Sequence, residues 1–166
     1  VCTAFGTAGT GGFGIKTDSM ASYSPYLQTV TTVFMFLFGV NFTCYYLLMI
    51  GQVSAALRDE ELRVYVGTFA VATLLITLNV KELAGGFFPA LHHAAFQVAS
   101  VMTTTGFATT DFNLWPSFSK AILVLLMFIG AMAGSTGGGL KFARVLLLFK
   151  SAGRSIRKVL NPQSVR

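Results

Sequence analysis

Residues 102–111 read MTTTGFATTD and interrupt a segment that is otherwise apolar. A threonine run meets one glycine and one aromatic residue. A threonine hydroxyl can supplement backbone carbonyls as a ligand, and glycine reaches positive φ without steric cost. At membrane depth this pattern predicts a bent backbone with carbonyl oxygens pointing inwards, as in the filter of an ion channel. The alternative is a threonine-rich turn that caps a helix.

The composition around this stretch indicates a membrane protein. Hydrophobic residues make up 54% and charged residues 11% of the chain, whereas a soluble domain has about 25% charged residues. Charge-free runs cover 19–57, 64–80, 83–110 and 121–140, and a membrane-spanning helix needs about 20 apolar residues. We therefore predict an all-α, multi-pass membrane protein. The net charge of +6 lies at span ends and near the C-terminus, which argues against nucleic acid as a partner.

The charge pattern also predicts the path of the chain. Residues 26–50 and 64–80 are predicted spans, and the mixed charges at 58–63 between them indicate a solvated loop. If 83–110 crossed the membrane, this loop and the basic C-terminal segment would lie on opposite faces. The positive-inside rule favours a shared cytoplasmic face. Residues 89–103 are therefore predicted to form a short re-entrant helix, and the threonine–glycine stretch returns to the same side.

A second glycine-rich segment, 130–141, follows the apolar run that starts at residue 121. It contains the sequence GAMAGSTGGGLK. Glycines allow a membrane helix to unwind into a loop that can block or open a path. Lys141 and Arg144 lie beside it, and charges at membrane depth are costly without a cavity or partner. The alternative is a pair of basic side chains that extend to the cytoplasmic interface.

Several functional classes are disfavoured. Gly9, Gly11 and Gly14 have the spacing of a dinucleotide fingerprint, but a membrane span follows and the required acidic residue is absent. The 134–139 glycines resemble a phosphate loop, but Leu140 occupies the lysine position. Cys2 and Cys44 are expected to be free thiols, and His92 and His93 to be structural. No catalytic constellation is evident, so we expect no enzymatic activity and no cofactor.

The threonine–glycine pattern occurs twice. Thr10-Gly11-Gly12-Phe13, the first tetrad, matches Thr104-Thr105-Gly106-Phe107, the second tetrad, at an offset of 94 residues. Downstream matches join Asp18 to Asp111, Pro25 to Pro116 and Gly39 to Gly130, with offsets that fall to 91. The chain thus contains a repeat of helix, re-entrant loop and helix. Two such loops cannot enclose an ion, and four are usual in a filter-lined pore.

The stretches MTTTGFATTDFNLWP and AGSTGGGLKFARVLLLF resemble the membrane subunit of the bacterial Trk/Ktr potassium uptake systems. The resemblance implies four joined helix–pore loop–helix repeats and a potassium-channel-like fold. By it, residues 1–50 are the filter loop and second helix of the second repeat, and 51–61 are a cytoplasmic connection. Residues 62–158 are then the complete third repeat, and 159–166 a basic cytoplasmic tail. The chain, which begins at Val1, is expected to be part of a longer polypeptide.

The resemblance also assigns residues. Both tetrads would supply filter backbone for potassium, which is the transported ligand. Segment 130–141 would be an intramembrane gate below the filter, and its assigned residues are Gly130, Gly134, Ser135, Thr136, Gly137, Gly138, Gly139 and Lys141. The expected partners are the remaining repeats, a second copy in a homodimer, a cytosolic nucleotide-binding regulatory subunit and membrane lipid. The expected location is the bacterial inner membrane, with the filter on the extracellular or periplasmic side.

An alternative function is a secondary cation transporter with broken helices and a binding site near the middle of the membrane. Repeats in such transporters are commonly inverted, whereas the two units here run in the same direction. Both tetrads also depart from the T-V-G-Y sequence of potassium channels. Fewer stacked carbonyl rings are therefore expected, and strict selection of potassium over sodium is less assured.

Overall fold

The computed structural model describes the backbone of residues 1–160 and the side chains of residues 1–156. All regular secondary structure in this part of the chain is helical, which confirms the predicted all-α class. A 3₁₀ turn, Phe112–Leu114, separates the sixth and seventh α-helices. The α-helices are α1 (Cys2–Ala8), α2 (Pro25–Phe38), α3 (Phe42–Met49), α4 (Val53–Arg58), α5 (Glu60–Val80), α6 (Phe87–Met102), α7 (Ser117–Ile129) and α8 (Phe142–Leu160).

Helix α6 is the centre of the fold and packs against α2, α5 and α7. Its side chains Phe96, Val98 and Met102 are fully buried. With 16 residues it is about 24 Å long, which is shorter than the roughly 30 Å hydrocarbon core of a bilayer. The chain leaves α6 through a turn rather than continuing as a helix. A short buried helix followed by a turn agrees with the prediction of a re-entrant segment at 89–103.

Helix α5 has the length and apolar composition to cross a membrane by itself, and it contains the predicted span 64–80. Helix α7 is a shorter apolar helix of 13 residues. Large apolar side chains on these helices face outwards, and among them Leu74 and Phe128 are 50% and 65% exposed. Such an apolar exterior is expected where lipid covers the surface.

The predicted span at residues 26–50 is not one continuous helix. Helices α2 and α3 together have the length and composition of a span, but they meet at an angle of 90°. The break at 39–41 ends with Asn41, whose side-chain oxygen accepts a 2.9 Å hydrogen bond from the Thr43 amide. Asparagine is a preferred N-cap because it satisfies an amide at the start of a helix. Asn41 therefore starts α3 as a new helix.

Tight packing at Gly39 accompanies this break. A Cβ atom at Gly39 would lie 2.2 Å from the Tyr65 Oη and 2.7 Å from the Thr103 Cγ2. The carbonyl of Gly39 accepts from the Met132 amide at 3.2 Å, and the preceding carbonyl, of Phe38, accepts from a threonine hydroxyl of segment 130–141 at 3.2 Å. Backbone groups freed by a broken membrane helix need such partners, so the break is stabilised by residues distant in sequence.

We expect Gly39→Ala to lower the free energy of unfolding of the full-length protein by about 1–3 kcal/mol, because the new methyl overpacks the site. Thermal unfolding of the detergent-solubilised protein measures this change. Gly67→Ala is the matched control, since an added Cβ on α5 at that position meets nothing within 4 Å. Equal melting temperatures for the two variants would contradict the packing described for Gly39.

The ends of the repeat predicted at 62–158 differ slightly from the predicted boundaries. The connection 51–61 contains the short helix α4, and α5 begins at Glu60. Helix α8 is longer than the apolar stretch 142–149 and extends to Leu160. Most of the predicted basic tail 159–166, namely residues 161–166, lies outside the described residues.

Candidate functional site: two tetrads and a glycine loop

The two tetrads have the same unusual backbone conformation. Their first residues, Thr10 and Thr104, have φ of 50° and 59°, and their third residues, Gly12 and Gly106, have φ of 66° and 88°. Positive φ is uncommon for a β-branched residue and requires support from the surrounding structure. The sequence repeat at an offset of 94 residues is therefore also a structural repeat.

The backbone hydrogen bonds of the tetrads repeat as well. In the first tetrad, the amides of Gly11 and Gly12 donate to the carbonyl of Gly6 at 2.8 and 3.5 Å. In the second tetrad, the two equivalent amides donate to the carbonyl of Ser100 at 2.9 and 3.3 Å. Gly6 and Ser100 are themselves 94 residues apart. Each tetrad thus leaves the end of its short helix, α1 or α6, in the same way.

The tetrads lie side by side. A Cβ atom at Gly12 would be only 2.0 Å from the carbonyl oxygen of Thr105. The Phe107 ring packs against α1, where a Cβ at Gly6 would be 3.1 Å from the ring Cζ. Phe107 is consequently 1% exposed, whereas its equivalent Phe13 is 81% exposed. Within the described residues, the contact between the tetrads is one-sided, and the outer side of each is open.

Hydroxyl groups beneath the second tetrad fix its backbone. The Ser100 hydroxyl donates to the carbonyl of Phe107 at 2.5 Å. The hydroxyls of Thr103 and Thr105 lie 2.8 Å apart, and Thr103 also donates to the carbonyl of Ala99 at 2.7 Å. All these bonds are buried, so the tetrad is held rigidly. The sequence did not assign a role to Ser100 or Thr103; the unbroken threonine run was the available signal for Thr103.

Segment 130–141, the glycine loop, contacts the first residue of both tetrads. The Thr10 hydroxyl donates to the carbonyl of Thr136 at 2.9 Å. The Thr104 hydroxyl accepts from the amide of Gly138 at 2.6 Å. Two threonines that are equivalent in the repeat therefore attach one loop to the two tetrads.

The two arms of the glycine loop pack backbone against backbone. A Cβ at Gly130 would lie 2.5 Å from the carbonyl oxygen of Gly138, and one at Gly139 would lie 2.7 Å from the Gly130 Cα. The Ser135 hydroxyl donates to the carbonyl of Met132 at 2.7 Å. Side chains at the glycine positions would separate the arms, so this compact loop depends on its composition.

Lys141 is part of the loop. Its ammonium group donates to the carbonyl of Gly137, and its side chain is half-buried. Lys141 is thus turned back onto the loop, whereas the side chain of Arg144 is exposed. Gly134, at the other end of the loop, lies against α3: its carbonyl accepts from the Phe42 amide at 3.1 Å. The loop therefore touches elements of both repeats.

The two histidines have structural contacts, as predicted. His92 Nε2 lies 2.8 Å from the side-chain oxygen of Gln28 on α2. His93 Nδ1 lies 3.0 Å from the hydroxyl of Thr109 in the segment after the second tetrad. Among the described residues, no three His, Cys, Asp or Glu side chains are grouped to bind a metal ion. These histidines instead join α6 to its neighbours.

The whole chain matches one family model. The description of that family is "cation transport protein", it is the TrkH family, and the match covers residues 1–166. The chain belongs to the TrkH family. This TrkH-family chain is 35% identical to the Trk system potassium uptake protein TrkH of Salmonella typhimurium, over 97% of its own length and 34% of that protein. It is 30% identical to the Trk system potassium uptake protein TrkG of Escherichia coli, over 99% of its length and 35% of that protein.

A solved structure agrees with this assignment. The crystal structure of the potassium transporter TrkH from Vibrio parahaemolyticus matches with a TM-score of 0.87 and 31% sequence identity. The match covers 98% of the TrkH-family chain described here and 36% of the solved chain. The chain thus spans about a third of the length of the relatives it matches. The predicted family and the predicted membrane fold are both confirmed.

Proposed function

We propose that the chain forms part of a path by which potassium, or another monovalent cation, crosses the membrane. Backbone carbonyls of the two tetrads coordinate the cation, and the glycine loop below them gates the path. One observation carries the proposal: two tetrads with the same conformation and the same hydrogen bonds lie side by side over one loop. The names of the relatives, which describe potassium uptake, support the choice of cation.

The chemistry of such a site is coordination. A cation that enters a filter loses hydration water, and carbonyl dipoles offset that loss. No proton transfer or covalent step is needed, so we propose that the protein uses no cofactor and that the cation is its transported ligand. Rigid carbonyls suit this task, and the buried hydroxyls of Ser100 and Thr103 provide rigidity in the second tetrad.

The outer sides of the tetrads support an assembly with further repeats. Gly12 lies against the carbonyl of Thr105, but the equivalent Gly106 has nothing within 4 Å of an added Cβ. Phe107 is buried against α1, but the equivalent Phe13 is exposed. Tetrads from the remaining repeats of the full-length protein would cover both open sides and close a ring around the cation.

The family membership supports a proposal for the assembly and the location of the protein. We propose a homodimer in the bacterial inner membrane, surrounded by lipid, with the tetrads on the extracellular or periplasmic side and the C-terminal end of α8 in the cytoplasm. A cytosolic nucleotide-binding subunit regulates the gate. A response of cation flux to added nucleotide in cells, and its loss when the cytosolic subunit is removed, tests this arrangement.

A secondary cation transporter is the second candidate, and the breaks at 39–41 and 130–141 favour it, because such transporters use broken helices. The orientation of the repeats disfavours it, since Thr10 and Thr104 both meet the same loop and the tetrads therefore start on the same side. Proteoliposomes separate the two functions. Flux through a filter follows the potassium gradient alone, whereas coupled transport requires a proton or sodium gradient.

We expect Gly106→Ser to lower rubidium uptake at least about tenfold or to raise the sodium-to-potassium ratio. Gly106 has φ of 88°, and a side chain makes left-handed conformations unfavourable by about 1–2 kcal/mol. The measurement is rubidium uptake into potassium-starved cells that express the full-length protein, normalised to its amount in the membrane. An unchanged rate together with an unchanged ion ratio would reject the filter role of the second tetrad.

A further inference from the structure

We propose that Glu61 is a positioning residue that clamps the two ends of the glycine loop together and so controls how often the path opens. Glu61 is in the first turn of α5. Its Oε1 accepts a hydrogen bond from the Ala133 amide at 2.7 Å and another from the Ala143 amide at 3.0 Å. Ala133 lies near the start of the loop, and Ala143 lies just after its end. This inference rests on the proposed gating function of the loop.

The chemistry of both contacts favours a carboxylate. The Ala143 amide is in the first turn of α8, where helix amides have no partner within the helix and the dipole attracts negative charge. The Ala133 amide lies in non-helical backbone. One ionised oxygen that accepts from both amides forms two charge-assisted bonds. Because the oxygen is shared, the bonds also fix the distance between the arms.

The residues beside Glu61 in the first turn of α5 make contacts of their own. The Asp59 side chain caps α5 and accepts from the Glu61 amide at 3.0 Å. The neighbouring Glu60 pairs with Lys150 of α8 at 2.5 Å. Both side chains of this pair are exposed, so the pair contributes little. The first turn of α5 is thus joined to the loop and to the start of α8 through Glu61.

This role corrects the sequence-based view of segment 58–63 as only a solvated loop. Glu60 is exposed, as expected of a solvated loop. Glu61 is half-buried and faces the glycine loop. The two adjacent glutamates therefore provide a matched pair for experiment: both are acidic and in the same turn, and one of them contacts the loop.

The first test compares Glu61→Ala, Glu61→Gln and Glu60→Gln in the full-length protein, at equal amounts in the membrane. Rubidium flux without an activating signal is measured. We expect Glu61→Ala to raise this basal flux about tenfold, within the usual range of coupling between sites. Glu61→Gln keeps an acceptor oxygen and should have a smaller effect, and Glu60→Gln should match the unmodified protein.

The second test measures the position of the loop without measuring transport. In a cysteine-free full-length protein that carries Ser135→Cys, the rate of reaction with a water-soluble thiol reagent is compared with and without Glu61→Ala. We expect the rate to rise when Glu61 is removed and to stay unchanged with Glu60→Gln. This readout remains valid if a variant transports poorly.

The outcomes separate the two proposals. If shortening the glycine loop raises basal flux but Glu61→Ala changes neither flux nor thiol reactivity, the clamp is rejected and the gate stands. If shortening the loop leaves flux unchanged, the loop is not a gate, and Glu61 cannot control opening through it. The thiol reaction rate then still tests whether Glu61 holds the loop in position.

Discussion

Gly12→Ala in the full-length protein is expected to lower rubidium uptake by about a hundredfold or more, because two costs combine. Gly12 has φ of 66°, which a side chain disfavours by about 1–2 kcal/mol. The new Cβ would also lie 2.0 Å from the carbonyl oxygen of Thr105. Backbone hydrogen bonds to Gly6 and Ser100 hold the two segments in place, and overpacking of this kind costs about 1–3 kcal/mol more.

The matched control for this experiment is Gly14→Ala. Gly14 lies just after the first tetrad, and an added Cβ there has its nearest neighbours at 3.9 and 4.0 Å. We expect the control to transport normally at equal membrane abundance. Uptake by Gly12→Ala that equals uptake by Gly14→Ala would contradict the contact between the tetrads, and with it the proposed shared ion path.

Substitution of Gly12 and of Gly106 by alanine separates the effect of positive φ from the effect of contact with a neighbouring backbone. Both have positive φ, but Gly12 has a backbone neighbour and Gly106 has open space around it within the described residues. If further repeats close a ring, Gly106 gains the neighbour that Gly12 already has. In the full-length protein, alanine at the two positions should then cause losses of similar size.

The repeat was predictable from the sequence because it depends on local backbone chemistry. A tetrad needs a residue that tolerates positive φ at its third position, and the glycine there occurs in both copies, as Gly12 and Gly106. The helix before each tetrad then supplies one carbonyl, from Gly6 or Ser100, for two amides. Such contacts span only six residues, so a sequence match at a fixed offset preserves them.

The break in the first predicted span shows where hydropathy fails. The match of Gly39 with Gly130 was in the sequence, and both residues do follow the last residue of an apolar helix. In the repeat that contains 1–50 the break has three residues, 39–41, and in the repeat predicted at 62–158 it has twelve, 130–141. A short break leaves the apolar run intact, and hydropathy averages across it. Because Gly39 matches Gly130, the break after Gly130 predicts a break at the equivalent position in the first span.

Contacts between segments distant in sequence could not be predicted from local sequence patterns. The bonds from Thr10 to Thr136 and from Glu61 to Ala143 join residues 126 and 82 positions apart. Each depends on how α1, α5 and α8 pack, and no local pattern encodes that arrangement. The threonine–glycine and glycine-rich patterns predicted a filter and a gate, and the family resemblance assigned individual residues to them. The experiments on Gly12, Gly106 and the loop test both.

Deletion of Gly137, Gly138 and Gly139 is expected to raise basal rubidium flux at least about tenfold, if the loop limits flux as a coupled gate does. The deletion removes the Gly138 amide that binds the hydroxyl of Thr104. It also removes the carbonyl of Gly137 that accepts from Lys141. The shortened loop loses its hydrogen bond to the second tetrad, so we expect it to leave the proposed path open.

The measurement is flux in proteoliposomes that contain the full-length protein alone, with Gly67→Ala as a control for the loss of a glycine elsewhere. A rise in potassium and rubidium flux with an unchanged ion ratio means that the loop gates the path while the tetrads select the ion. A rise accompanied by loss of selectivity means that the loop also supports the tetrads through Thr10 and Thr104. Flux at or below that of the unmodified protein would reject the gate, because removing an obstruction cannot slow conduction through an intact filter.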